Sequence, residues 1–236
     1  MVKLYWHKTN NFGDAISPVI LGHFLKEKIL FADRETSGKM ISTGSVLFAM
    51  QENDTIWGTG AIQNGKMRLR QGVKFLAVRG PWTWMQVIGE TGAMTYGDPG
   101  ILLPLIYAPL VEKKYKVGVI PHYIDKEFVK SDPRITKDAH VINIQAEWKE
   151  VVKEILSCEM IVSSSLHGII CAEAYGIPAM WAVYTDKIIG GEFKFQDYFL
   201  GTGRNLQKPF SLIPPIQRLE IRQNQLIKVL KTHYGK

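Results

Sequence analysis

The chain has 236 residues, long for one ordinary domain and short for two, so length alone leaves one lobe or two open. With 46% hydrophobic and 22% charged residues it has the make-up of a soluble globular protein able to bury a sizeable core, and its two cysteines exclude a multi-disulfide framework. The formal net charge of +7 favours anionic partners such as phosphorylated metabolites, nucleic acid or anionic lipid, unless it is only a solvated basic surface.

Met1 to Trp6 lacks the apolar core and small-residue cleavage site of a signal peptide. The longest apolar stretch, Gly100 to Val111, is interrupted by Pro104 and Pro109 and is too short to cross a bilayer. The chain is therefore expected to be cytoplasmic, with no integral membrane segment. Cys158 and Cys171 lie in apolar segments and read as buried, inert thiols; no CxxC pair suggests zinc.

Val2 to Trp6 reads as a first strand, followed by a polar turn from Lys8 to Asp14. Ile16, Val19, Ile20, His23 and Phe24 then recur at helical spacing, with Asp14 or Ser17 as cap and Pro18 in the first turn. Lys39 to Thr43, Asp54 to Trp57 and Lys74 to Val78 are short strands, each closed by Gly, Asn or Arg-Gly. Gly80-Pro81-Trp82 opens a helix, and Gly97-Asp98-Pro99-Gly100 is a turn. The polar seam Lys113 to Lys116 marks the expected boundary between a lobe at 1–112 and a lobe at 113–236. Lys116 to Ile120, Val141 to Ile144, Glu159 to Ser163 and Pro178 to Tyr184 read as strands of the second lobe. Helices are expected from Trp148 to Leu156, from Leu166 to Tyr175 and at the end of the chain. Alternating strands and helices imply an α/β protein with two Rossmann-like lobes built on parallel sheets. Ligands of such sheets bind outside the carboxyl ends of the strands, so the strand-end turns point to a cleft between the lobes.

Chief among these turns is Ser163-Ser164-Ser165-Leu166-His167-Gly168. A helix amino terminus offers unpaired N–H groups and partial positive charge to a phosphate or carboxylate, and three serines add hydroxyl donors. His167 in the first helical turn is a candidate for giving or taking a proton near neutral pH. The alternative is a helix capped by Ser164 or Ser165 with His167 merely on its surface. Cys171, four residues on, shares the His167 face and reads as packing. Asp14 is either a base for a sugar hydroxyl or a plain helix cap. Arg79, after an apolar strand and before Gly80, is placed to clamp an anion bidentately. Asp98 lines the cleft or makes an Asx turn; His122 lines the cleft or fills a turn. Lys66, Arg68, Arg70 and Lys74 read as a solvated face. Gly58-Thr59-Gly60 is not a dinucleotide fingerprint, and the chain has no P-loop.

Taken in order, these turns resemble the polysaccharide pyruvyl transferase family. The matching pieces are Asn11-Phe12-Gly13-Asp14, Gly58-Thr59-Gly60, Val78-Arg79-Gly80-Pro81-Trp82-Thr83, Gly97-Asp98-Pro99, Pro121-His122 and Ser163 to Gly168, with Phe193-Lys194-Phe195-Gln196-Asp197-Tyr198 as the late Lys-containing motif. The resemblance implies a GT-B-like fold and transfer of pyruvate from phosphoenolpyruvate to a saccharide as a cyclic ketal. It implies phosphoenolpyruvate as co-substrate, no other cofactor and no metal. The acceptor would be a polysaccharide or its precursor, often lipid-linked in this family, which allows work at the inner face of a membrane; nucleic acid is not an expected partner. On this reading His167 is the acid–base residue and Asp14 activates a sugar hydroxyl. Asn11, Gly13, Arg79, Asp98, His122, Ser163, Ser164, Ser165, Leu166, Gly168 and Lys194 bind substrate. Many members carry an arginine where this chain has Ser165, so Arg79, Lys194 or Arg204 would supply the missing charge. A nucleotide-sugar glycosyltransferase, with Glu173 holding a ribose, and a non-catalytic binding member of the family are the competing readings.

Overall fold

A computed structural model describes residues 1–8, 11–88 and 94–235; Thr9 and Asn10 of the expected first turn, and Lys236, lie outside the described residues. The first sheet has five strands: β1 (Val2–Tyr5), β2 (Ile29–Phe31), β3 (Met40–Ile41), β4 (Thr55–Trp57) and β5 (Lys74–Ala77). They lie in the order β2-β1-β3-β4-β5, all parallel. Helix α1 (Phe12–Leu25) follows β1 and α2 (Pro81–Ile88) follows β5. A 3-10 helix, Pro99–Leu105, leads out of this half.

The second sheet has four parallel strands in the order β7-β6-β8-β9: β6 (Tyr115–Ile120), β7 (His140–Val141), β8 (Cys158–Ser163) and β9 (Ala179–Trp181). Between and after them run α3 (Lys126–Ser131), α4 (Pro133–Thr136), α5 (Trp148–Leu156), α6 (Leu166–Ala174), α7 (Phe193–Gly201) and α8 (Leu219–Tyr234). No described helix is long and apolar enough to cross a membrane.

The strands read as apolar runs because the first sheet is covered on both faces. Alternation sends successive residues to opposite sides. Tyr5, Ile41 and Ile56 join a cluster with Leu47, Trp84 and Val87, whereas Leu4, Met40 and Trp57 join the main core. That main core is continuous between the sheets: it takes in Ile16 and Ile20 of α1, Ile101 to Leu103 of the 3-10 helix, Ile155 of α5, Ile169 and Ile170 of α6, and Ile161 of β8. All nine residues of α6 are buried. Helix α8 returns to the first half, where Leu226 and Leu230 enter the core and the Leu226 carbonyl accepts the indole N–H of Trp57 at 3.0 Å.

One local expectation is corrected. Helix α1 starts earlier than its spacing suggested, with Asn11 rather than Asp14 or Ser17 at the cap, and Pro18 lies inside the helix. The Asn11 side chain does not cap; its amide donates to Asp14 Oδ2 at 2.9 Å.

Candidate functional site

Helices α1 and α6 follow the interior strands β1 and β8 of their sheets, and their amino termini converge. The His167 ring lies over Gly13: a Cβ at residue 13 would fall 2.2 Å from His167 Nδ1, so only glycine admits the imidazole there. Neither helix start receives a side-chain cap. Asp14 in the first turn of α1 offsets that helix's positive end, but α6 has no acidic residue in its first turn, so its end is the one left uncompensated for an anion.

Both helix starts open on a cavity of about 290 Å³. Its walls come from loops after six strands, at the carboxyl ends of both sheets. His7, Asn11 and Asp14 follow β1; Gly44, Ser45, Val46 and Phe48 follow β3; Ile62 follows β4. His122 and Tyr123 follow β6, Ser165 to His167 follow β8, and Ile189 and Lys194 follow β9. Of the residues expected at a site, Asn11, Asp14, His122, Ser165, Leu166, His167 and Lys194 are thus brought to one cavity. Gly13 sits beneath His167. His7, Ser45 and Phe48 were not singled out in the sequence. Gly44-Ser45, a Gly-Ser turn at a strand end, carries the signal that would have found it.

The other expected residues are used internally. Arg79, read as an anion clamp, is fully buried and already occupied. Its Nε donates to Asp197 Oδ2 at 2.9 Å, Nη1 to Ser45 Oγ at 2.7 Å and Nη2 to the Ala61 carbonyl at 2.6 Å. Gly60 makes room for it, since a Cβ there would fall 2.2 Å from the guanidinium carbon. Ser163 Oγ shares its one proton between the Ile120 and Ser165 carbonyls and accepts the Ser165 N–H. Ser164 Oγ donates to Asp125 Oδ2 at 2.7 Å and accepts the His122 N–H at 2.9 Å. Both hydroxyls therefore shape the turn rather than reach a ligand. Gly168 packs against Ser163 and Ile120, and Asp98 is buried with Oδ1 accepting the Gly100 N–H. Arg204, the other proposed source of charge, is bound to Glu173, and the Tyr198 hydroxyl donates to the same carboxylate at 3.0 Å. That arrangement also occupies Glu173, the candidate ribose holder.

Lys194 is left as the one lysine or arginine lining the cavity among the described residues. Burial, and then the nearby Arg79 charge, lower its pKa to about 8. Burial, and then Lys194, lower His122 to about 4, so its imidazole is neutral at neutral pH, with Nδ1 accepting the Ile124 N–H at 3.3 Å. Burial raises the Asp14 pKa against the opposing pull of its Asn11 hydrogen bond and of His167. A carboxylate in that state is a stronger proton acceptor than one in water. The cavity therefore gathers an acidic group, three imidazoles, a cation and a bare helix end.

Two parallel sheets covered by helices, with strand-end residues of both lining one cavity, define the class as an α/β protein. Within that class, the chain belongs to the polysaccharide pyruvyl transferase family, whose model matches residues 56–186, over half of the sequence. That match includes Arg79, Asp98, His122 and the Ser163 to Gly168 turn. The chain is 31% identical over 206 residues to the uncharacterized protein L143 of Acanthamoeba polyphaga mimivirus, covering 82% of this chain and 71% of the viral one. It is 29% identical over 127 residues to the succinoglycan biosynthesis protein ExoV of Rhizobium meliloti strain 1021, covering 52% of this chain and 38% of ExoV. No solved structure matches the chain.

Proposed function

We propose that this chain transfers the pyruvyl group of phosphoenolpyruvate to two hydroxyls of a saccharide, as a cyclic ketal, in polysaccharide biosynthesis. The observation that carries this reading is His167 held at a bare helix end, in one cavity with Asp14 and Lys194. The two halves, 1–112 and 113–236, would act as the lobes of a GT-B-like transferase with this cavity as their cleft.

Phosphoenolpyruvate carries a carboxylate and a phosphate on a three-carbon enol. Lys194 and the α6 N–H groups are the donors the cavity offers to that charge. His167 delivers a proton to the methylene carbon, which becomes the methyl group, and positive charge develops at the central carbon. One sugar hydroxyl attacks that carbon, losing its proton to Asp14. The carbon–oxygen bond to phosphate then breaks, and the second hydroxyl closes the ketal. Of the two hydroxyl protons, one restores the proton spent on the methyl group and the other leaves with inorganic phosphate.

The test is incubation with phosphoenolpyruvate and galactose-, glucose- and N-acetylmannosamine-containing acceptors, following phosphate release and product mass. The expected result is a product heavier by one pyruvyl ketal, with one phosphate released per transfer. Thermal protection by UDP-sugars and none by phosphoenolpyruvate would overturn the reading in favour of a glycosyltransferase.

Lys194 adds a pH signature. Its folded pKa of about 8 lies below the ordinary 10.5, so in the free protein the cation is present below pH 8 and lost above it. The expected kcat/KM for phosphoenolpyruvate falls about tenfold per unit above that point, and Lys194→Met abolishes this limb. The sign for stability is opposite: the unfolded chain binds the extra proton between pH 8 and 10.5, so this group's contribution to stability rises across that window. A flat kcat/KM profile from pH 7 to 10 would remove Lys194 from donor binding.

A further inference from the structure

Asp98 is fully buried at the start of the 3-10 helix. Its Oδ1 caps that helix by accepting the Gly100 N–H at 2.8 Å. Its Oδ2 has no hydrogen-bond partner, and neither has Nε2 of His167; both atoms are sealed from solvent. The two face each other across 3.5 Å. A buried carboxylate oxygen without a donor is costly, and so is a buried ring nitrogen without a partner. One small adjustment satisfies both, because each supplies what the other lacks.

The backbone holds Asp98 in place. Pro99 follows it in the first helical position, and Gly97 precedes it at φ +152. His167 is equally fixed, with its ring against Gly13. Among the described residues, the other titratable groups lining the cavity with this histidine are Asp14 of α1, Lys194 of α7, His7, His122 and Tyr123.

We propose that Asp98 is a positioning residue for His167: it accepts the Nε2 proton, fixes the imidazole tautomer and orientation, and leaves Nδ1 as the nitrogen that exchanges a proton with substrate. The inference deepens the pyruvyl transfer reading and rests on His167 as its proton-transfer residue. Imidazole has two nitrogens, and with Nε2 sealed against a carboxylate only Nδ1 is available to a ligand. When His167 carries both protons, the Asp98 carboxylate stabilises the cation by accepting from Nε2 while Nδ1–H faces the substrate. A carboxylate oriented on one imidazole nitrogen is the arrangement that sets the tautomer in other acid–base sites.

Asp98→Asn separates this role from the helix cap. The asparagine oxygen still accepts from Gly100, but its amide donates toward Nε2 and reverses the preferred tautomer. In the wild-type protein, ¹⁵N NMR of the neutral His167 imidazole is expected to show the proton on Nε2; in Asp98→Asn it is expected on Nδ1. Turnover is expected to fall by ~10²-fold or more, with the KM for phosphoenolpyruvate little changed. Adding Asp98→Asn to His167→Ala should lower turnover no further, because the two residues act as one unit. A proton on Nδ1 in the wild type would overturn the proposal. So would wild-type turnover in Asp98→Asn, or an equal loss from that substitution when His167 is already absent. Full activity in His167→Ala would instead sink the reading of the site, and the NMR tautomer would still decide the pairing.

Discussion

His167→Ala is expected to fold normally and to lose turnover by ~10²-fold or more, the usual effect of removing an acid–base group. The fold should survive because His167 Nε2 has no hydrogen-bond partner to lose; it only faces Asp98 Oδ2 across 3.5 Å. The space vacated adjoins the cavity, so water can enter it and reach the Asp98 carboxylate. That limits the cost to about 1–2 kcal/mol, well short of unfolding a domain of ordinary stability. Far-ultraviolet circular dichroism and a thermal melt check the fold, and phosphate release from phosphoenolpyruvate with acceptor checks turnover. Near-normal turnover would take His167 out of the chemistry and leave the family fold with a different proton donor.

Asp197→Ala should produce the largest loss of stability among single substitutions near the site. Asp197 is fully buried and holds three groups at once: Arg79 Nε at 2.9 Å, Thr83 Oγ at 2.7 Å and the Thr83 N–H at 2.9 Å. It thereby ties α7 to the end of β5 and the first turn of α2. Removing it leaves a guanidinium in the interior without its counter-ion, which costs about 3–5 kcal/mol where such pairs have been broken. Total stabilities run to ~5–15 kcal/mol, so about a fifth of the total or more would go. Urea denaturation should show a lower midpoint at unchanged slope. The double substitution Arg79→Met with Asp197→Leu should recover much of the loss, because it removes both buried charges together. A loss below ~1 kcal/mol in the single variant would mean that Ser45 and Ala61 suffice to hold the guanidinium.

This pair shows what could and could not be read from the residues in a row. The apolar run Lys74 to Val78 announced a strand, and β5 is there. The arginine at its end announced something important, but its direction is set by tertiary packing 118 positions away in sequence, where Asp197 waits. Ser163 and Ser164 misled for the same reason. Their polarity is visible in the sequence, whereas the Ile120 carbonyl and Asp125 that use their hydroxyls are not. By contrast, Asn11, Asp14, His122, Ser165 and His167 were legible as cavity residues because they obey a topological rule: they follow parallel strands.

The elements missed were those without a clean period. Strand β2 has three half-buried residues at the edge of its sheet, too few to show alternation. Helix α7 mixes buried Phe195, Tyr198 and Phe199 with buried Lys194 and Asp197, so no apolar stripe marks it off. The charges that blur its helical pattern are the ones that serve the site and its frame.

Helix α8 has a consequence for how the protein is made. Trp57 belongs to the fourth strand, yet its indole N–H finds an acceptor only at Leu226, and Gln223 donates to the Ile101 carbonyl at 2.7 Å. On the ribosome, the first five strands emerge long before these partners exist. The nascent sheet must then wait, one flank unsealed, until residues 219–234 leave the exit tunnel. Closure of the first half thus waits on α8, and a chain stalled before it presents an unfinished apolar face to chaperones.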